Sequence, residues 1–291
     1  MNRQSTRKSG GATLDVRPSP IAGSWYPGAS GALRQRVQAF LDAAETASPD
    51  RIEGRLVALV SPHAGYTYSG GVAAHAYRLV QGARYDVVVI VAPNHSIYNP
   101  APLLTSGHAA YGTPLGDVPL AEELLAALDA RLGLSQVRRD GEHSLEIQLP
   151  FLQVALAGEF QLLPIMINDR SSKSWYNLGE ALADLLRDQN VLLVASTDLS
   201  HFENAETAAR LDGAVTDRIA AFDPEGLLDV LATGKGKACG GGPTVAVMLA
   251  ARALGANRAR LLKYATSGDV TGDYGRVVGY AAAALYAASP V

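Results

Sequence analysis

At 291 residues with 48% hydrophobic and 18% charged side chains, the chain has the make-up of a globular protein that buries roughly three quarters of its unfolded surface without staples. A net charge of -3 provides no basic field to hold a polyanion, which counts against nucleic acid as the main partner. One cysteine excludes an internal disulfide framework and no apolar run reaches the ~20 residues that span a bilayer, so the expected setting is reducing and cytoplasmic, with no membrane.

Residues 1–19 mix Arg3, Arg7, Lys8, Gly10 and Gly11 with no apolar stretch, which reads as a flexible N-terminal tail and not as a secretory signal. A transit peptide is the alternative, and Asp15 and the short length count against it. Residues 20–291 read as a single domain, since no Pro/Gly/Ser-rich linker divides them and no repeat period recurs. In chain order, a helix is predicted over 29–44, a strand over 56–60, a helix over 71–80 and a strand over 87–92. Helices over 120–132 and 144–156 precede a strand over 160–167, a helix over 175–187 and a strand over 191–195. Helices over 205–222, 224–231 and 244–254 follow, and strands over 260–264 and 277–285 close the chain. Short runs rich in Val, Leu and Ile alternating with Ala-rich helical segments give the fold class: α/β, a three-layer sandwich with a mostly parallel central sheet and helices on both faces.

Three predicted strands run directly into polar residues: Ser61-Pro62-His63, Pro93-Asn94-His95 and Ser196-Thr197-Asp198. Ligands gather at the carboxyl ends of strands in open α/β sheets, so these tips are expected to meet around one cleft. A single histidine after a strand is usually a surface or capping residue, but His63 and His95 together offer two neutral imidazoles suited to iron, copper or zinc. Cys239, in Ala238-Cys239-Gly240-Gly241-Gly242-Pro243, precedes a helix whose N-terminus favours the thiolate. An inert buried thiol is the other reading of this cysteine; the glycine run, which permits close backbone approach to something bound, counts against it.

Asp198 and His201 stand three apart, the spacing that meets on one turn of helix, so they are candidates for acid and base; an N-cap followed by a surface histidine is the bland alternative. Glu142-His143-Ser144-Leu145-Glu146 is a second acid–imidazole cluster, from which His143 and Glu146 are candidates to face the cleft. Tyr66 and Tyr68 are candidates to line it, against packing roles near a helix start. Gly65, Gly70 and Gly71 superficially suggest phosphate binding, but the P-loop lysine and a G-x-G-x-x-G after a strand are both missing, so no nucleotide cofactor is expected.

Taken in order, Ile21-Ala22-Gly23-Ser24-Trp25-Tyr26-Pro27, Ser61-Pro62-His63-Ala64-Gly65-Tyr66, Pro93-Asn94-His95, Glu142-His143-Ser144-Leu145-Glu146, Ser196-Thr197-Asp198-Leu199-Ser200-His201 and Ala238-Cys239-Gly240 resemble the motif series of the Memo family. Its bacterial and archaeal members are known as protein B of the AmmeMemoRadiSam system, a name that implies association with an AMMECR-type protein and a radical SAM protein. The resemblance implies a fold similar to class III extradiol dioxygenases, a metal site on His63, His95 and Cys239, and Asp198 and His201 in the same pocket. Those dioxygenases use two histidines and a carboxylate, so a cysteine in third place puts ring cleavage in doubt and shifts preference toward copper or a thiolate-bound iron.

The expected function is a metalloprotein binding iron or copper, with zinc as a third ion the ligand set accepts, and having redox or oxygen-dependent activity on a small molecule. A non-enzymatic module that holds a peptide or small ligand on the same scaffold is the alternative, and a true extradiol dioxygenase ranks below both.

Overall fold

The computed structural model describes residues 14–47, 52–96, 98–169 and 171–288. Its strands are β1 (Val16–Arg17), β2 (Arg55–Ser61), β3 (Val87–Pro93), β4 (Leu103–Ser106), β5 (Ala110–Thr113), β6 (Gly116–Pro119), β7 (Ser135–Val137), β8 (Gln161–Ile167), β9 (Val191–Ser196), β10 (His201–Glu203), β11 (Arg258–Thr266) and β12 (Val277–Ala287). Its helices are α1 (Ser30–Ala47), α2 (Tyr66–Tyr77), α3 (Glu122–Leu132), α4 (Leu149–Ala155), α5 (Ser172–Leu186), α6 (Ala205–Ala220), α7 (Pro224–Ala232), α8 (Gly241–Ala253) and the single turn α9 (Gly268–Thr271).

The predicted α/β sandwich is what the chain forms. Valine-rich β3 is buried along its whole length, as a strand covered on both faces must be, and with β2, β8 and β9 it makes the parallel centre in the order β2-β9-β3-β8. The flanks depart from the mostly parallel expectation: β12 joins β2 antiparallel and carries β10 and β11 antiparallel, while β4 joins β8 antiparallel. On one face α2 covers β2, β11 and β12 and packs with α1 and α4; on the other, α8 covers β9, β3 and β2 and packs with α5 and α7. No helix among the described residues is long and apolar enough to cross a membrane.

Register brings the central strands to one finish line. Ser61 pairs with Ser196, Val91 with Ala195 and Pro93 with Ile167, so the loops leaving β2, β9, β3 and β8 emerge together. The sites predicted at separate strand ends are thereby collected on one rim.

The N-terminal expectation needs a correction. Residues 1–13 of the expected tail lie outside the described residues, but Val16–Arg17 pair in parallel with β5 in a small sheet, β1-β5-β6. Arg17 is buried, bonding Glu146 Oε2 at 2.6 Å and the Glu142 carbonyl at 2.9 Å, with Asp140 also on its guanidinium. The packed part of the chain therefore begins before residue 20.

Glycines around Cys239 serve packing. A Cβ on Gly242 would lie 2.5 Å from Trp175 Cε2 and one on Gly241 2.6 Å from Leu231 Cδ1, while one on Gly240 would run into the Ser196 carbonyl oxygen at the end of β9 and lie 2.6 Å from Thr197 Cβ. The close approach inferred from the glycine run is thus to neighbouring protein. Gly240→Ala is expected to cost about 1–3 kcal/mol of stability by overpacking, read as a lowered urea midpoint at unchanged slope; an unshifted midpoint would mean the β9 end yields freely.

Candidate metal centre

Each strand tip is tied down by a specific bond. His63 follows β2, and its N–H donates to Asp198 Oδ1 at 2.7 Å; His95 follows β3, and its N–H donates to Glu142 Oε2 at 2.6 Å. Cys239 lies between α7 and α8, with its N–H on the Asp198 carbonyl at 3.2 Å and its Sγ accepting the Asp198 N–H at 3.3 Å. These ties bring one ligand atom each from His63, His95 and Cys239 within 4.8 Å of one another. The His63 and His95 rings are 5.2 Å apart, edge to face, and His63 Nε2 is 3.1 Å from Cys239 Sγ.

The hydrogen bonds behind the rings fix their tautomers. Ser196 Oγ donates to the Ser144 carbonyl at 2.5 Å and accepts from Gln148 Nε2 at 2.8 Å, so toward His63 Nδ1, 3.0 Å away, it has only a lone pair to offer. His63 therefore carries its proton on Nδ1 and presents the Nε2 lone pair to the thiol side. Glu142 does the same for His95, whose Nδ1 lies 3.2 Å from Oε1. A carboxylate or hydroxyl on the far nitrogen is how metal-binding histidines are oriented. Glu142 also accepts from the N–H groups of Ser96, His143 and Ser144, which makes it the organiser of this corner.

Burial dominates the electrostatics. It drives the His63 imidazole well below its ordinary value, with His95 and His143 adding to the effect, and it brings His143 down to about 4. Asp198 is pushed by burial up to about 7 against the pull of the His63 and Ala64 N–H groups. Burial also opposes ionisation of Glu142, but bonds from His95 and Ser144 outweigh it and hold that carboxylate well below the usual range. The thiolate expected from helix α8 does not arise from the protein alone: burial, then Asp198, raises the Cys239 thiol. A coordinated cation reverses that preference.

The centre opens on a cleft of about 670 Å³ whose wall includes Trp25, Tyr68, His143, His201, Phe202 and Arg276. A second cavity of about 750 Å³ reaches Cys239 from the Trp175 side, and His201 borders both. Asp198 and His143 are on the cleft, the latter sandwiched with its ring 4.1 Å from Trp25 and 4.9 Å from His95. With His95 and Glu142, His143 forms a second, overlapping group with ligand atoms within 4.8 Å.

Tyr66 and Glu146 are placed elsewhere. Tyr66 is buried against Tyr26 and Phe151 with its hydroxyl on the Ile147 carbonyl, and Tyr68 takes the cleft position; Glu146 is buried behind the wall, accepting from Arg17 and Tyr26. Asp198 and His201 share no helical turn. Leu199 N–H bonds the Gly279 carbonyl and Ser200 N–H bonds Asp212, so the segment runs extended into β10 and the two side chains reach the cleft separately. Glu142, Ser196, Trp25 and Arg276 were not singled out as site residues from sequence; the acid–imidazole cluster at 142–146 was the signal for Glu142, the member that bonds His95 through both its ring and its N–H.

Comparison with known proteins is consistent along nearly the whole chain. A family model described as Memo-like protein matches residues 17–284. A MEMO1 family protein of Methanopyrus kandleri is 37% identical, with 91% of this chain and 97% of that one aligned. A MEMO1 family protein of Methanosarcina mazei is 38% identical, over 92% and 98% respectively. Among solved structures, a crystal structure of an uncharacterized protein from Escherichia coli K12 is 15% identical with a TM-score of 0.48, covering 79% of this chain and 99% of that chain.

Proposed function

This chain belongs to the Memo-like family, and on that footing we propose that it is a metalloprotein holding iron or copper on His63, His95 and Cys239, with redox or oxygen-dependent chemistry on a small molecule in the cleft. The observation that carries this reading is the convergence of the three ligand atoms within 4.8 Å. The residues fit an ion: two imidazoles with lone pairs turned inward and one sulfur make a mixed set that suits copper and iron, and zinc on the same grounds. Three protein ligands leave room for a further small ligand. Bound iron or copper would supply electron transfer to or from that ligand. Around it Ser196 and Glu142 hold the two rings, Trp25 and His143 wall off water, and Asp198 and His201 are groups able to hold a proton at the cleft. Association with AMMECR-type and radical SAM proteins is part of the proposal and is supported by the motif series alone.

Protein purified without a tag or added metal is expected to retain about one iron or copper ion per chain, as befits a single three-ligand site, measured by elemental analysis. Background metal there, together with failure to take up either ion on reconstitution, would reject the proposal. One observation favours a second reading, a non-enzymatic binding module: Cys239 Sγ and His63 Nε2, 3.1 Å apart, can satisfy each other as a thiol–imidazole hydrogen bond. Ligand binding unchanged in metal-stripped protein supports that reading, whereas metal-dependent oxygen consumption supports the first.

A further inference from the structure

Among the described residues that line the cleft, Arg276 is the one permanent cation. It immediately precedes β12, and its guanidinium stacks on the Phe202 ring with 4.5 Å from Cζ to the ring centroid. No carboxylate among the described residues forms an ion pair with it; Asp273 shares the rim, but its Oδ1 accepts the Gly275 N–H at 2.9 Å.

Phe202 is an unusual platform. Its φ of 63° lies in the left-handed region that a bulky residue avoids, at the point where pairing between β10 and β12 slips a residue, and the residue is 62% exposed. Such a conformation persists where the surroundings fix it, and strained positions of this kind cluster at ligand sites. On the same cleft, Ser267 Oγ accepts the Val278 N–H at 3.0 Å, which leaves its hydroxyl proton to donate. The rim thus pairs a guanidinium and a hydroxyl, both donors, with flat apolar surface from Phe202, Tyr68 and Trp25.

We infer that the cleft takes an aromatic carboxylic acid, its carboxylate on Arg276 and Ser267 and its ring along Phe202. Two oxygens of one carboxylate match a planar guanidinium fork plus one hydroxyl. Asp273 on the same rim opposes a dianionic phosphate more than a singly charged carboxylate. The inference rests on the metal-centre reading in one respect only, that the end of the ring remote from the carboxylate is directed toward His63, His95 and Cys239.

The test is calorimetric titration with 2-naphthoate, its neutral analogue 2-naphthamide, and 2-naphthyl phosphate, on the full chain and on Arg276→Gln. Naphthoate is expected to bind at least about tenfold more tightly than the amide, as one charge-assisted bond warrants. Arg276→Gln should remove that preference, weakening the acid far more than the amide, which loses at most a neutral hydrogen bond. Equal binding of acid and amide by the unaltered chain, insensitivity of naphthoate to the substitution, or preference for the phosphate would each overturn the inference. Metal uptake on reconstitution of the same samples separates the two readings: a chain that takes up neither iron nor copper yet keeps its Arg276-dependent preference rejects the metal centre and upholds the acid site, and a metal-loaded chain without the preference does the reverse.

Discussion

Glu142→Gln is expected to weaken metal binding by about 10–100-fold, the usual consequence of losing the group that orients a ligating imidazole. Glu142 is 1% exposed and gathers the His95 ring and the N–H groups of His95, Ser96, His143 and Ser144 on its two oxygens. An amide in its place keeps one acceptor but turns an NH2 toward N–H donors, so either His95 Nδ1 or the backbone loses its partner. His63→Ala combined with His95→Ala, which deletes two ligands outright, should abolish retention and so sets the scale. Competition against a chelator at fixed free metal distinguishes these cases. Wild-type affinity in Glu142→Gln would mean that His95 is held by something else, and full retention in the double variant would remove the metal centre altogether.

Arg17→Met is expected to destabilise the chain by about 3–5 kcal/mol, because it strands the carboxylates of Glu146 and Asp140 that it bonds. Glu146 is fully buried and bonds Arg17, Ser19 and Tyr26; Arg17 is the one cation among these partners. Burial already raises the Glu146 carboxyl above its ordinary value, with Arg17 opposing that rise, so removing Arg17 raises it further. The sign follows from linkage: a carboxyl raised in the folded state favours folding while protonated and loses that contribution as pH climbs through its folded value. The deficit of Arg17→Met should therefore shrink as pH falls, and adding Glu146→Gln should recover a large part of it at neutral pH. Urea unfolding across pH reads both effects, and a deficit independent of pH would show that lost packing of Arg17, not charge, is responsible.

Much of the scaffold was legible because burial writes itself into composition. Val87–Pro93 and Val191–Ser196 are continuous apolar runs because both faces are covered, and each ends where its polar tip begins. The small strands β4 to β7 and the three-residue β10 were not foreseen, since runs of three or four residues containing Gly112, Gly116 or His201 have no period to detect. Helix α4 begins at Leu149 after a 3-10 turn over Glu146–Gln148, later than the predicted 144; Pro150 in its first turn was the available signal.

At the site, strand ends pointed to His63 and His95, while Cys239 rested on its glycine run and on the resemblance of the motif series. What chemistry alone does not encode is which acid faces which ring. Glu142 and Glu146 stand four apart in one cluster, and only the tertiary fold turns one to His95 and the other to Arg17, 129 positions away. Arg17 read as tail for the same reason, its partners being visible only after folding.

The order β2-β9-β3 has a consequence for how such a centre can change over time. The two imidazoles ride on strands that are not neighbours, so their span is two inter-strand spacings, roughly 9.6 Å at the backbone, and is set by the ladder itself. Insertions beyond His63 and His95 leave that backbone span as it is, because β9 stays between the two strands. The sulfur hangs instead on the connection between α7 and α8, a different element from the two rings, so its distance to them depends on how that connection packs against the end of β9.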